Sequence, residues 1–563
     1  ELVSHPMYDF SPEAIWKLSV NAYRNRTNWI GTMLATPTFA PLAAWLLERA
    51  RAVSHESIET YIDELIGVPD GTERQFTSPL YEYYFGAKTL QHNPEAYLEA
   101  LEALRTIRSK LRDYRSEQLT IADFIDFIDA YRRLGTPITS VRRRGDTIEN
   151  AVNLLTAHKS KGLEFDTVYI VNSIDAQWGE RVRNRSRNIN YPENLTISPN
   201  ADTYDERLRL YFVAMTRAKR QLFLTYAAAD ANSKDTLIAG FLTGLDLTKS
   251  THQTHETIER LAAQAQTAWH DRTVRQPTAS MKSLLAPILE QYKLSATHLN
   301  NFLDVSRGGP QGFLMNNLLR FPQAKSANAS FGTAVHTALQ RAHTHLSATG
   351  ERRPAEDIIG DFIRELHDQR LSPEDFEQYA KRGTDTLSKF LDAEYSSFAP
   401  QQKAELNFAA QGVVVGEARL TGTLDLVDIN DKHIFVTDYK TGKPAVSWTG
   451  RTDYEKIKLH KYRQQLMFYQ LLCQHSRDYA SYEFDGAILQ FVEPDSRGEI
   501  HSLDQTFSTE ELAEFTALIA AVWRCITTLE LPDISGYSAD YKGMLQFEED
   551  LTAKNGASRQ KTP

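Results

Sequence analysis

Only two cysteines, Cys473 and Cys525, occur in the 563 residues of this sequence. That scarcity excludes a disulfide framework and any four-cysteine zinc or iron–sulfur site, and it makes a reducing, cytoplasmic setting the default expectation. Long apolar runs are also missing. No stretch approaches the roughly 20 residues that a membrane helix needs, and no basic-plus-apolar signal segment opens the chain. No membrane association is expected. A positive balance is absent too, since 63 Lys and Arg stand against 73 Asp and Glu for a net charge of −10. Any attraction to phosphate must therefore come from local basic surface. Two clusters could supply it, Arg142, Arg143 and Arg144, then Arg181, Arg183, Arg185 and Arg187, although such clusters are commonly plain solvated loops. Finally, the chain lacks G-x-x-x-x-G-K-[ST]. Its only Gly-Lys pair is Gly442-Lys443, with Pro444 next, and no apolar strand ends in Asp-Glu. Backbone N–H groups cannot wrap a nucleotide's phosphates without that loop, so a complete ATPase site cannot form from these residues alone.

What remains is ordinary globular sequence, 41% apolar and 24% charged, in a chain long enough for three or four domains. It begins at Glu1 rather than Met and runs straight into helical sequence, which predicts a fragment of a longer polypeptide. Apolar residues at three- and four-residue spacing predict helices over 39–52, 57–66, 94–114 and 121–134, an all-helical module. Near residue 150 the pattern changes. The runs 151–158 (AVNLLTAH) and 167–172 (TVYIVN) read as strands, followed by a helix over 203–219 and a strand over 221–226, which suggests a buried, mainly parallel α/β sheet. Residues 228–293 have weaker helical periodicity and read as a helical linker. A second α/β unit starts at Ser295, and from about Lys554 the chain reads as a disordered tail.

Two segments carry the first chemistry. Thr156-Ala157-His158-Lys159-Ser160-Lys161-Gly162-Leu163-Glu164-Phe165 is a polar, Gly-containing loop at a strand end, where α/β sheets bind ligands. Asp205 to Lys219 (DERLRLYFVAMTRAK) is an amphipathic helix ending in a basic turn, and Arg217 there could stabilise charge during phosphoryl transfer. Each alone is more often structural, as a tight connection or a cation at a helix end. Together, TAHKSKGLEFDTVYI and ERLRLYFVAMTRAK resemble the last two helicase motifs of the UvrD/Rep-type superfamily 1 DNA helicases. The resemblance implies a RecA-like helicase C-terminal domain of a 3′-to-5′ DNA translocase, with Gly162, Glu164 and Arg217 at ATP, Arg217 as arginine finger, and Thr156 and His158 facing single-stranded DNA.

The second chemistry lies in LTGTLDLVDINDKHIFVTDYK, residues 420–440, which reads as a hairpin with a four-residue turn at 429–432. That turn pairs Asp428 with His433 and sets Asp425 opposite Val436, so Asp425 and Asp438 become diagonal neighbours, roughly 7–8 Å apart at the backbone. Two carboxylates can there converge on one hard cation, with the Lys440 ammonium beside them to position or deprotonate water. An exposed hairpin with Asp and Lys near its turn is common, but Asp438 and Lys440 sit inside the apolar run IFVTDYK. His336 opens a helix after FGTAV, and Gln465 and Tyr469 share a helix face.

In order, FGTAVH, GTLDLVD, VTDYKTGK and QQLMFYQ resemble the RecB-like branch of the PD-(D/E)xK nucleases. The resemblance implies a restriction-endonuclease-like α/β domain in which His336, Asp425 and Asp438 hold the metal and Lys440 is catalytic. It places Gln465 and Tyr469 near DNA, and Glu405 where many members carry a Glu before the central strands. Some relatives bind an iron–sulfur cluster; residues 302–313 hold no cysteine, so none is expected here.

The expected organisation is therefore an α/β chain with a helical insertion domain over 1–148 and a RecA-like helicase core over 149–230. A helical linker over 231–294, a nuclease domain over 295–540 and a tail over 541–563 follow. The expected function is the C-terminal part of an ATP-dependent DNA helicase–nuclease in double-strand-break repair and recombination, using Mg²⁺ or Mn²⁺ and ATP. Its expected partners are DNA, as single strands or duplex ends, and either the N-terminal helicase half or a second helicase–nuclease subunit. The alternative is a scaffold and nuclease subunit without motor function.

Overall fold

The computed structural model describes residues 2–52, 56–69, 76–114, 119–136, 138, 152–180, 182, 204–230, 233–248, 250, 260–261, 263 and 280–559, with 554–559 in backbone only. Arg142, Arg143, Arg144, Arg181, Arg183, Arg185 and Arg187 lie outside the described residues. The chain forms two compact units, one of residues 1–141 and 271–563 and one of 142–270.

The first unit opens with helices, among them Ala40–Ala52, Ile58–Ile66, Pro94–Tyr114 and Ile121–Leu134, as the periodicity predicts. Local chemistry sets their ends. The Ser57 hydroxyl accepts from Thr60 N at the start of Ile58–Ile66, and Gly67 closes it at φ 83°. Buried Arg108 bridges Glu59 at 2.8 Å and also pairs with Asp63. Asp63 in turn accepts from Ala324 N at 2.6 Å. One apolar core runs from Ile58 and Tyr97 through Phe302 and Leu466 to Phe547. Of the helices expected as a separate module over 1–148, those from Ile58 onward thus share their core with the C-terminal domain, while Leu18, Phe39, Leu42 and Trp45 form a core of their own.

That core also revises two other expectations. The expected linker over 231–294 ends in the helix Met281–Glu290, whose Leu285 and Leu289 belong to the shared core. Its start, 233–248, holds only isolated bridges and the short 3₁₀ turn Gly240–Leu242 among the described residues. The expected tail forms the helix Tyr541–Arg559, and it buries Met544, Phe547 and Leu551.

In the second unit, β1 (Phe165–Ile170) pairs in parallel with β2 (Ala218–Leu224), and the helix Tyr204–Met215 buries Tyr211 and Ala214 against Ile170 and Leu242. Of the predicted strand over 151–158, the described residues 152–158 form no strand. Val152 is 99% exposed and Leu154 91%. An apolar run becomes a strand only beside a partner, and no described strand of this unit pairs with it.

The C-terminal domain is built on a mixed sheet. Its strands are β3 (Gln402–Asn407), the two-residue hairpin β4 (Val414–Val415) and β5 (Ala418–Arg419), β6 (Thr423–Asn430), β7 (His433–Lys440), β8 (Glu483–Phe491) and β9 (Ser502–Gln505). Five of them lie in the order β3-β6-β7-β8-β9. Only β7 and β8 are parallel, so the chain needs a crossover between them, and the helix Asp453–Gln474 supplies it. Ala327–Thr349 packs Phe331, Ala338 and Leu339 with Leu426 and Tyr439 on one side of the sheet. On the other, Leu466, Phe468 and Val522 pack with Val427 and Val436. The β6–β7 turn has two residues, not four. Asp431 takes φ 51°, the left-handed geometry such tight turns use, and Asn430 pairs with His433. The ladder then continues to Leu426↔Thr437, so the next step sets Asp425 opposite Asp438 rather than opposite Val436.

One buried polar contact fastens the Ala327–Thr349 helix to β7. His343, 1% exposed, shares a 2.9 Å hydrogen bond with the Tyr439 hydroxyl and stacks on Phe398. Burial pushes the imidazole down to about 4. In the unfolded chain it titrates at ~6.5, so between those values the unfolded state takes up the proton that the fold refuses. The stability from neutral His343 is complete above ~6.5, is lost progressively as pH falls from there toward about 4, and levels off below the folded value. The unfolding free energy should thus decline between pH 7 and 4, and His343→Gln should flatten that slope by up to about 3 kcal/mol. Urea denaturation at stepped pH reads this; parallel slopes in the two proteins would refute it.

Candidate nuclease site and helicase motif segment

The sheet brings four acidic or imidazole groups to one place. Glu405 lies on β3 between the pairs Ala404↔Leu426 and Leu406↔Leu424, which puts it opposite Asp425. Its backbone has φ 52°, a left-handed geometry that non-Gly residues adopt at a cost and that clusters at functional sites. His336 reaches in from the Ala327–Thr349 helix, with Nδ1 3.2 Å from Asp425 Oδ2. One ligand atom each from His336, Glu405 and Asp425 fall within 4.8 Å of one another. The Tyr439 amide donates to Asp425 Oδ2 at 2.9 Å, which orients that carboxylate from the neighbouring strand.

Asp438 stands opposite Asp425 on β7 and is held differently. Its Oδ2 lies 2.7 Å from Lys440 Nζ. Its Oδ1 accepts from the Tyr469 hydroxyl at 2.8 Å and from Gln465 Nε2 at 3.0 Å. Gln465 Oε1 accepts in turn from Lys440 Nζ at 2.8 Å, so one amide holds both members of the ion pair. Tyr469 is buried with its hydroxyl on Asp438, and Gln465 is half-buried. Both residues, expected near DNA, are thus engaged in holding Asp438.

Electrostatics mark the cluster as short of positive charge. Burial pushes the Asp438 carboxyl up, and the Asp425 charge adds to it, against the pull of Lys440 and the Tyr469 hydrogen bond. Burial and Asp425 likewise raise Glu405, opposed by His336. For His336, burial works downward, but the hydrogen bond and charge of Asp425, with Asp438 behind it, outweigh burial and hold the imidazole above its ordinary value. Three carboxylates face one paired ammonium. The donors are carboxylate oxygens and an imidazole nitrogen, a set suited to a hard divalent cation.

Glu405 carried only a weak signal in the sequence, and two further residues were not singled out there. Tyr462 lies under the Lys440 ammonium, 4.6 Å from Nζ to the ring centroid. Glu493, just past β8, pairs with Arg382 at 2.8 Å and accepts from the Gly442 amide, fixing the turn after Lys440. A helix-face spacing of three residues before Gln465 would have pointed to Tyr462.

The helicase motif segment lies in the second unit. Ser160 N donates to Thr156 O at 3.1 Å, closing the loop, and Gly162 takes φ 87° with open space on its Cβ side. Thr156, His158 and Glu164 are exposed, and Glu164 lies 3.4 Å from Lys219. Arg217 is tied to backbone carbonyls, with Nε on Val213 O at 2.9 Å and Nη1 on Leu163 O at 3.1 Å. Arg217 therefore ties the turn after the helix to the loop at Leu163, beside Glu164 in sequence, and its guanidinium is engaged within the chain.

Comparison with known proteins agrees with both halves. Residues 293–536 match the PD-(D/E)XK nuclease superfamily, and residues 52–229 match the UvrD-like helicase C-terminal domain. The chain is 29% identical over 219 residues to an ATP-dependent helicase/nuclease subunit of Natranaerobius thermophilus, covering 33% of this chain and 15% of that protein. A protein of the same name from Streptococcus thermophilus is 26% identical over 285 residues, 44% of this chain and 22% of the relative. An exonuclease/helicase subunit of Lactococcus lactis is 22% identical over 273 residues, 41% of this chain and 22% of the relative. The matches thus span less than a quarter of each relative's length. The chain joins a member of the UvrD-like helicase C-terminal domain family to a member of the PD-(D/E)XK nuclease superfamily.

Proposed function

We propose that this chain is the C-terminal part of an ATP-dependent 3′-to-5′ DNA helicase–nuclease acting in double-strand-break repair and recombination, in the cytoplasm. Its C-terminal domain would hydrolyse phosphodiesters with Mg²⁺ or Mn²⁺. The observation that carries this reading is the convergence of His336, Glu405 and Asp425 beside the Asp438–Lys440 pair. His336, Asp425 and Asp438 would hold the metal with Glu405, and a bound divalent ion would supply charge neutralisation for the phosphate and an acidified water. Lys440 would position the attacking water and, as an ammonium, meet the developing charge, or, once it has given up its own proton, take one from that water. Gln465 and Tyr469 hold Asp438, and Gln465 also holds Lys440, through the bonds described above, on the helix face that would lie near DNA.

For the second unit the reading is a motor half-site, with Gly162, Glu164 and Arg217 at ATP and Thr156 and His158 at the single strand. The cradle for the phosphates would come from the N-terminal helicase half or from a second helicase–nuclease subunit. A scaffold-and-nuclease role without a motor is the second reading; the missing G-x-x-x-x-G-K-[ST] loop fits it equally well, and an Arg217 already bound to two carbonyls favours it. The chain alone is expected to release no phosphate from ATP with single-stranded DNA present. Turnover by the purified chain would contradict the half-site.

Asp438→Ala is expected to abolish Mg²⁺-dependent degradation of single-stranded DNA, by at least about a hundredfold as judged from the several kcal/mol that charge stabilisation contributes. The fold should persist, though melting should fall because the Lys440 ammonium and the Tyr469 hydroxyl lose their buried partner, so cleavage is compared at a temperature where both proteins are folded. Equal cleavage by parent and variant would remove the nuclease assignment.

Metal binding should also depend on pH in a definite direction. His336 and Asp438 both hold protons more tightly than usual, and each must release its proton to bind a cation. Affinity should accordingly rise as pH increases through and above the ordinary imidazole value of ~6.5. Calorimetric titration with Mn²⁺ at stepped pH, in buffers of different ionisation heat, should show proton release. A pH-independent affinity without released protons would argue against these ligands.

A further inference from the structure

The crossover helix carries three lysines that lie close in sequence but differ in their partners. Lys456 lies 3.8 Å from Asp453, and Lys461 pairs with buried Asp304. Lys458 lies within 4.0 Å of no carboxylate among the described residues, and its hydrogen bond goes to a neutral oxygen, Lys443 O, at 3.3 Å. It is only partly exposed, so water cannot fully replace the missing counter-ion. Burial, together with the Lys440 and Lys443 charges, lowers its affinity for a proton, while Glu493 and Glu455 act the other way. Both of those carboxylates are already taken. Glu493 is held by Arg382 and the Gly442 amide, and Glu455 Oε2 accepts from the Arg451 amide at 2.9 Å and from the Thr452 amide.

The position of this ammonium relates it to the catalytic pair. Lys458, Tyr462, Gln465 and Tyr469 follow one another at three- and four-residue spacing along one face of Asp453–Gln474. Lys458 Nζ lies 5.6 Å from the Tyr462 ring centroid, and Lys440 Nζ lies 4.6 Å from the same centroid. One aromatic ring therefore carries two ammonium groups. Lys440 has Asp438 to balance it; Lys458 has nothing of opposite sign in contact. Such an arrangement is costly in the free protein and is relieved by an anion. At a site for phosphodiesters, the anion that arrives with the substrate is its own backbone.

We propose that Lys458, with Tyr462 beneath it and the Lys443 segment alongside, forms a subsite for a nucleic-acid backbone phosphate next to the one being cleaved. This rests on the nuclease reading of the Asp438–Lys440 site and adds to it a residue that positions the strand rather than one that reacts. Lys458→Gln in the full chain should weaken binding of a fluorescein-labelled oligothymidylate in EDTA, where cleavage is stalled. The slope of log affinity against log salt should become shallower by about 0.7, the loss of one single-strand phosphate contact. In Mg²⁺ its KM for the same strand should rise several-fold, with a smaller change in kcat. Lys458→Arg should restore both slope and KM, which a merely structural lysine would not require. If Lys458→Gln loses its cooperative melt, Lys458→Met, which keeps the apolar stem, carries the same comparison. Parental slope and KM in a folded charge-removing variant, with a parent that cleaves, would overturn the subsite alone. A parent that neither binds nor cleaves the strand would overturn the subsite and the nuclease reading together.

Discussion

Burying the Asp438 carboxylate, 1% exposed, at the end of an apolar strand is the constraint on which the rest of the C-terminal domain depends. An isolated charge in that position would cost several kcal/mol or more. The surrounding structure offsets the cost with an ammonium at 2.7 Å, a tyrosine hydroxyl and an amide. Each of those donors needs its own support. Gln465 and Tyr469 require the crossover helix to present one face to β7, and the parallel β7–β8 pairing is what makes that helix necessary. The neighbouring strand adds Asp425, oriented by the Tyr439 amide. The Ala327–Thr349 helix is fastened to the same strand through His343 and Tyr439. Adjacent residues of β7 thus point in turn at chemistry, at the helix packing and at chemistry again.

The two halves of the chain differ in how finished they are. In the C-terminal domain the acidic groups, the ammonium and their supports come from elements of one unit and are held by contacts on every side. In residues 142–270 the loop and helix that resemble helicase motifs meet through Arg217 and Leu163, but the β1–β2 pair leaves Tyr169 63% and Phe223 41% exposed. Two parallel strands with an uncovered face cannot account for their own apolar content. The difference agrees with a nuclease site that stands by itself and a motor segment that completes its site with residues from elsewhere, as proposed above.

Much of this was legible in the sequence because strong local signals had one physical meaning. Helices such as Pro94–Tyr114 and Ile121–Leu134 follow from apolar spacing, and β7 from an unbroken β-branched and aromatic run around two charged residues. The failures share a cause as well. The run at 151–158 has strand composition, but a strand is made by its neighbours, and none of the described strands pairs with it. The register of the β6–β7 hairpin turned on one backbone angle, at Asp431, where Asp tolerates the left-handed region. A two-residue shift there decides whether Asp425 faces Asp438 or Val436. Glu405 was obscure because its approach to Asp425 depends on a strained backbone rather than on its neighbours in sequence.

The division of the chain by packing also departs from its division by resemblance. The match to the UvrD-like helicase C-terminal domain covers residues 52–229, yet residues up to 141 pack in the same unit as the nuclease domain. Ile58, Ile62, Tyr97 and Leu101 belong to the core that continues to Phe547. Asp63 seals the join, since its carboxylate receives both the buried Arg108 and the Ala324 amide three residues before the Ala327–Thr349 helix. A nuclease on a flexible tether would present no such shared core. Here the segment that leads into the helix carrying His336 is bonded to Asp63, on a helix within the UvrD-like match, so His336 takes its footing in part from residues that resemble the motor. In this chain, fusion of the two families lies in the hydrophobic core as well as in the order of the sequence.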